Sequence, residues 1–169
     1  MEFTLKTITK AGIPEAISKA ELYRSLNEPE EAESICRDIL AIDPGHQLAL
    51  RLLGLAITDQ FCRDASDRHR EAEELFQRLV ERYERLYYTG LLHERRAKAQ
   101  MRMGRPPHSL VPLFAEAMRC FAEAETIHPP DNDDAILRWN RCARLLQSDP
   151  GFHEERESEA FEVIDSSPI

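Results

Sequence analysis

The residues best able to do chemistry stand apart from one another. Six histidines (His46, His69, His93, His108, His128, His153) form no H-E-x-x-H and no cluster with cysteine, so metal-ligand spacing is absent. Cys36, Cys62, Cys120 and Cys142 include no C-x-x-C pair, which suits reduced thiols in a cytoplasm better than a disulfide framework. Cys36 and Cys142 fall on apolar faces, where a thiol serves as a small buried hydrophobe. No glycine-rich phosphate loop and no serine in a nucleophile elbow occur. Neighbouring carboxylates such as Glu30-Glu31 and Glu73-Glu74 are explained by solvated helix faces. No enzyme, metal or cofactor is expected.

Basic residues are the exception. Between Arg85 and Arg105, six cations stand against Glu94 alone, a local charge of +5. On a helix Arg95, Lys98, Arg102 and Arg105 fall within an arc of roughly 80°. Farther on, Arg138, Arg141 and Arg144 step by three and stay clear of the face carrying Trp139. These stripes have two readings: a solvated basic surface offsetting nearby acids, or a groove that binds an anion.

The composition bounds the partners. With 169 residues the chain has the length of one domain, and 31% charged residues with a mean hydropathy of -0.50 fit a soluble helical protein. No apolar run reaches the roughly 18 residues of a membrane helix, and Leu48 to Ile57 is interrupted by Arg51. The N-terminus shows no apolar core followed by a cleavage site, so a signal peptide is not expected. The net charge of -9 is concentrated at the other end. Residues 148–169 carry seven acids and one arginine, leaving -3 for the rest. Such acidity argues against nucleic acid as a partner.

Helical periodicity positions the stripes. Pro14 suits the first turn of a helix running to about Asn27, and Asn27-Glu28-Pro29 turns the chain. The next helix places Ala32, Ile35, Cys36, Ile39 and Leu40 on one face. Leu50, Leu53, Gly54 and Ile57 then repeat the spacing of Ala16, Lys19, Ala20 and Tyr23, 34 residues later. A helix from Asp67 to about Arg85 repeats Ala32, Cys36 and Ile39 as Ala72, Phe76 and Leu79. Tyr87 to Met103 reads as helical without a defined register, and Gly104-Arg105-Pro106-Pro107 ends it. Ala117, Phe121 and Ala124 recover the second-helix pattern, and Asn132 to Gln147 forms a last helix with Ile136, Trp139, Cys142, Ala143 and Leu146 on one side.

Small Ala20, aromatic Tyr23, small Ala32 and the closing Asp43-Pro44 make residues 13 to 46 resemble a tetratricopeptide repeat. The resemblance implies an all-α, right-handed solenoid of about three helix–turn–helix pairs plus a C-terminal capping helix. Its divisions are a leader (1–12), a repeat domain (13–147) and an acidic tail (148–169). Tyr23, Leu53, Phe76, Phe121 and Trp139 are then expected in the core. In this family the first helix of each pair lines the inner surface, so Arg95, Lys98, Arg102, Arg138, Arg141 and Arg144 would line one concave groove. The implied job is a cytoplasmic adaptor holding a protein or peptide, acidic in character. The family's carboxylate clamp for chaperone tails uses lysines and asparagines where this chain has Ile17, Glu21 and Leu55, so that ligand is not implied. A second reading is a structural subunit whose end helix packs onto a larger assembly or another copy. The tail also has two readings. An acidic terminus is expected to be disordered, yet Phe161, Val163 and Ile164 among six acids at 154–165 would let it occupy a basic groove itself.

Overall fold

The computed structural model describes residues 3–62 and 68–153. Among them the chain is all-helical, with seven α-helices and no strand: α1 (Ile13–Ser25), α2 (Pro29–Ile42), α3 (Gln47–Asp59), α4 (His69–Gln77), α5 (Arg82–Arg102), α6 (Val111–Glu125) and α7 (Asp134–Ser148). Short 3-10 turns lie at Lys10–Gly12, Pro107–Leu110 and Pro150–Phe152. Proline opens α1, α2 and α6, where its missing N–H breaks no helical hydrogen bond. Between α1 and α2, Asn27 takes the left-handed conformation (φ 61°), and the Glu28 N–H reaches back to the Tyr23 carbonyl at 2.9 Å. No helix among the described residues is long and apolar enough to cross a membrane.

Each helix packs on the next, and α1 touches α3, α3 touches α5 and α5 touches α7. The odd-numbered helices therefore form one contiguous layer. What lets the even-numbered helices come close is a small residue on each odd one. A Cβ on Gly54 would lie 2.4 Å from Phe76 Cε1, and one on Gly90 would lie 2.7 Å from Phe121 Cε1 and 3.1 Å from the Ala117 carbonyl oxygen. Both phenylalanines are fully buried. In α2 the smaller Cys36 stands where α4 has Phe76, and α1 correspondingly carries buried Ala20 rather than glycine. The triplets Ala32/Cys36/Ile39, Ala72/Phe76/Leu79 and Ala117/Phe121/Ala124 are all buried. Gly90, 36 residues after Gly54, supplies the register of α5 that periodicity alone leaves open.

Three expectations need correction. The chain does not run as one helix to Arg85: α4 ends at Gln77 and α5 starts at Arg82. No glycine or proline marks that break. It is held from outside, because the Arg85 guanidinium donates to the Leu79 and Val80 carbonyls at 2.7 and 2.6 Å, and the Gln47 amide oxygen accepts from the Val80 N–H at 2.8 Å. Trp139 is not core, being 38% exposed. Ala135 and Cys142 are the buried residues of α7, and Trp139 sits about 50° round the helix from them. Tyr23 is only partly buried, packed against the edge of the core.

Replacing Gly54 by alanine tests the close approach. A methyl group forced into the Phe76 ring should cost about 1–3 kcal/mol, partly offset by alanine's helix preference of about 1 kcal/mol. The expected outcome in urea unfolding is a net loss of about 1 kcal/mol or more. Gly45→Ala, whose Cβ would meet nothing nearer than 3.9 Å, should stay within about 0.5 kcal/mol. Equal stability of Gly54→Ala and the parent would contradict this packing.

Candidate functional site

The odd-numbered layer carries the polar chemistry of the molecule. The alignment of Ala20, Gly54 and Gly90 puts Arg24, Thr58 and Glu94 at matching places, followed by Ser25, Asp59 and Arg95. Both Asp59 oxygens are used: Arg24 of α1 donates through Nε to Oδ2 at 2.8 Å, and Arg95 of α5 through Nη1 to Oδ1 at 2.5 Å. The same Arg95 nitrogen donates to Thr58 Oγ1 at 2.7 Å. One carboxylate on α3 thus ties α1 to α5. A second carboxylate repeats the arrangement farther along. Glu94 accepts from Lys98 of its own helix and stands 3.7 Å from Arg138 Nη1 of α7.

These groups border a cleft of about 370 Å³ formed by all four odd-numbered helices and the turns after α1 and α3. Five cations (Arg24, Arg95, Lys98, Arg102, Arg138) face two carboxylates there, Asp59 and Glu94. Burial pushes the Arg95 guanidinium down from its ordinary range while Asp59 pulls the other way, and the pairing keeps it a cation. Arg102, exposed at the C-terminal end of α5, has no ion pair among the described residues. The cleft is therefore net positive, with its inner cations pinned and its outer one available.

Four of the six residues expected to line a groove come together here: Arg95, Lys98, Arg102 and Arg138. Arg141 and Arg144 do not. Both are exposed on α7 but outside the cleft lining. The step of three that links them to Arg138 carries them around the helix by about 60° per step. Arg24, Asp59 and Glu94 were missed. Arg24 is a lone arginine at the end of α1, Asp59 pairs with two helices distant in sequence, and Glu94 faces Arg138 of α7 besides Lys98 of its own helix. The only available signal was the repeat register itself.

Other polar clusters serve the fold. Glu33 of α2, 14% exposed, accepts two hydrogen bonds from Arg68 at 2.7 and 3.0 Å, two from Arg37 at 2.6 and 3.0 Å and one from Gln60 at 2.7 Å. Arg37 and Arg68 both continue to Glu71. A second cleft of about 350 Å³ lies between α4, α5 and α6. Two of its arginines are already engaged, Arg85 on backbone carbonyls and Arg119 on Glu116 and Glu123. Burial pushes the Cys36 and Cys142 thiols up to about 12 and that of Cys120 to about 11, so none is a ready thiolate. No group of side chains among the described residues could hold a metal ion.

Compared with protein-family models, curated proteins and solved structures, the chain has no significant match in any of the three.

The Glu33 cluster has a testable pH signature. Hydrogen bonding to Arg68, aided by Arg37 and Gln60, holds the Glu33 carboxyl at about 2, below its ordinary 4.5. A depressed folded-state value means that the contribution to stability is complete above about 4.5 and is lost as pH falls toward 2. Within that window the wild type should lose stability more steeply than Glu33→Gln, by up to about 1.4 kcal/mol per pH unit. Parallel stability–pH curves from denaturant unfolding would contradict the assignment.

Proposed function

We propose that the chain is a tetratricopeptide-like, non-enzymatic adaptor and that the cleft on its odd-numbered helices holds an acidic protein segment. In this reading the helices form a right-handed solenoid of three pairs closed by α7, and the cleft lies on its concave side. One observation carries it: three helices far apart in sequence, α1, α5 and α7, deliver five cations to the same 370 Å³ space. Placing like charges together opposes folding unless acids offset them, and Asp59 and Glu94 do so only in part. A carboxylate entering the cleft meets donors already oriented, which reduces the entropy lost on binding. Charge-assisted hydrogen bonds of this kind contribute about 1.5–3 kcal/mol each when shielded from water.

A second reading, a subunit of a larger assembly or of an oligomer of this chain, is favoured by the outer face of α7. Leu137 is 63% exposed there. Sedimentation at rising concentration separates the two readings, since self-association removed by Leu137→Lys would support the assembly.

For the cleft, titration with a blocked hexaglutamate peptide is the direct test. Lys98→Gln, whose amide can still donate to Glu94, combined with Arg102→Glu should abolish binding and leave the melting temperature within a few degrees of the parent. Arg141→Glu with Arg144→Glu should change affinity by less than about threefold, because each is a peripheral, screened charge. Equal losses from both pairs would show that attraction is diffuse and that no site exists.

Residues 154–165 lie outside the described residues, but their six acids against one arginine give them the same ligand chemistry. Tethered at an effective concentration near millimolar, they would compete with an outside peptide. Truncation after His153 spares Phe152, which packs edge-on against Phe114 at 5.6 Å. It should tighten hexaglutamate binding at low salt, and unchanged affinity would rule out the tail as a competitor.

A further inference from the structure

Glu94 is the odd residue in a site built to attract anions. It belongs to α5, its side chain is 1% exposed, and it borders the cleft among Lys98, Arg102 and Arg138. Its Oε1 accepts from Lys98 and faces Arg138 at 3.7 Å, whereas its Oε2 is buried without a hydrogen-bond partner. A carboxylate has about four lone-pair sites and no proton to give. A fully buried acceptor oxygen left unpaired is unfavourable unless something completes it.

The groups around it decide what could do so. An anion such as sulfate presents acceptors only and would be repelled by Glu94 while attracted by the cations. A free cation would reverse that conflict. An acidic peptide presents both signs at once, carboxylates on its side chains and one N–H donor per residue on its backbone. Lys98 makes the exchange feasible, because its ammonium sits on a flexible four-carbon stem. Drawn toward an incoming carboxylate, it leaves Glu94 open to a donor.

Resting on the acidic-segment reading above, we infer that Glu94 is the specificity-determining residue of the cleft, accepting a main-chain N–H of the bound segment through Oε2 while Lys98 and Arg102 pair with its carboxylates. The cleft would then select acidic polypeptide over other polyanions.

The test compares two probes on the full chain by calorimetric titration: blocked hexaglutamate, and its depsipeptide counterpart in which every backbone amide is an ester. The two share carboxylates, spacing and charge, and only the first has N–H donors. The peptide should bind at least about tenfold more tightly, the effect of one hydrogen bond to a charged group. In Glu94→Gln the ratio should fall to near one, because the amide nitrogen placed at Oε2 cannot accept. If Glu94→Gln fails to fold, the wild-type comparison alone decides. Equal affinities for the two probes in the wild type, or a ratio that survives Glu94→Gln, would overturn the role of Glu94 and leave the acidic-segment reading standing. Failure of both probes to bind would overturn both.

Discussion

Asp59 accepts from two arginines that enter from opposite sides, Arg24 of α1 and Arg95 of α5. The three side chains are each about one quarter exposed or less. At that depth an unpaired charge would be costly, so each group depends on the others being in place. The bridge spans three consecutive members of the odd-numbered layer. Removing the aspartate would leave two guanidinium groups facing each other across α3. This contact ties α1, α3 and α5 together where they border the cleft.

Glu94 extends the same logic to α7 through Arg138, so that acids alternate with cations along the layer. Alternation allows the protein to concentrate positive charge without flying apart. It also sorts the cations by availability. Arg24 and Arg95 are committed to Asp59, Lys98 and Arg138 share Glu94, and Arg102 stands at the rim. An entering acidic group therefore meets a loosely held cation first and a shared one next. The Glu33–Arg68–Arg37–Glu71 cluster uses the same residue types to a different end. Its charges saturate one another, joining α2 to the start of α4.

Much of the helical skeleton was legible in the sequence because close packing restricts residue size. Gly54 must face Phe76, and Ala32, Ala72 and Ala117 must let neighbours approach, so the pairing of small and aromatic positions survives in the residues themselves even where the interval between pairs varies. What escaped obeys longer-range rules. The break between α4 and α5 depends on Arg85 and Gln47 satisfying exposed backbone groups, a tertiary effect with no local breaker. Trp139 was assigned to the apolar face of α7 by periodicity, but the buried residues of that helix are Ala135 and Cys142, and Trp139 lies about 50° round from them. Helical arcs put Arg95, Lys98 and Arg102 on one face, and all three border the cleft, whereas the step of three carries the α7 stripe to Arg141 and Arg144 outside its lining. Glu94 was visible as the one acid of the α5 stripe, but its approach to Arg138 and the bridging role of Asp59 cross between helices and do not show in a charge count along one helix.

The central claim is that the Asp59 bridge holds the layer together rather than decorating it. A double-mutant cycle on Asp59→Asn and Arg95→Gln, measured by denaturant unfolding, isolates that contact from the burial of either residue. A structural bridge at this depth should give a coupling energy of about 1.5 kcal/mol or more. A coupling below about 0.5 kcal/mol, the range of an exposed surface pair, would contradict the account.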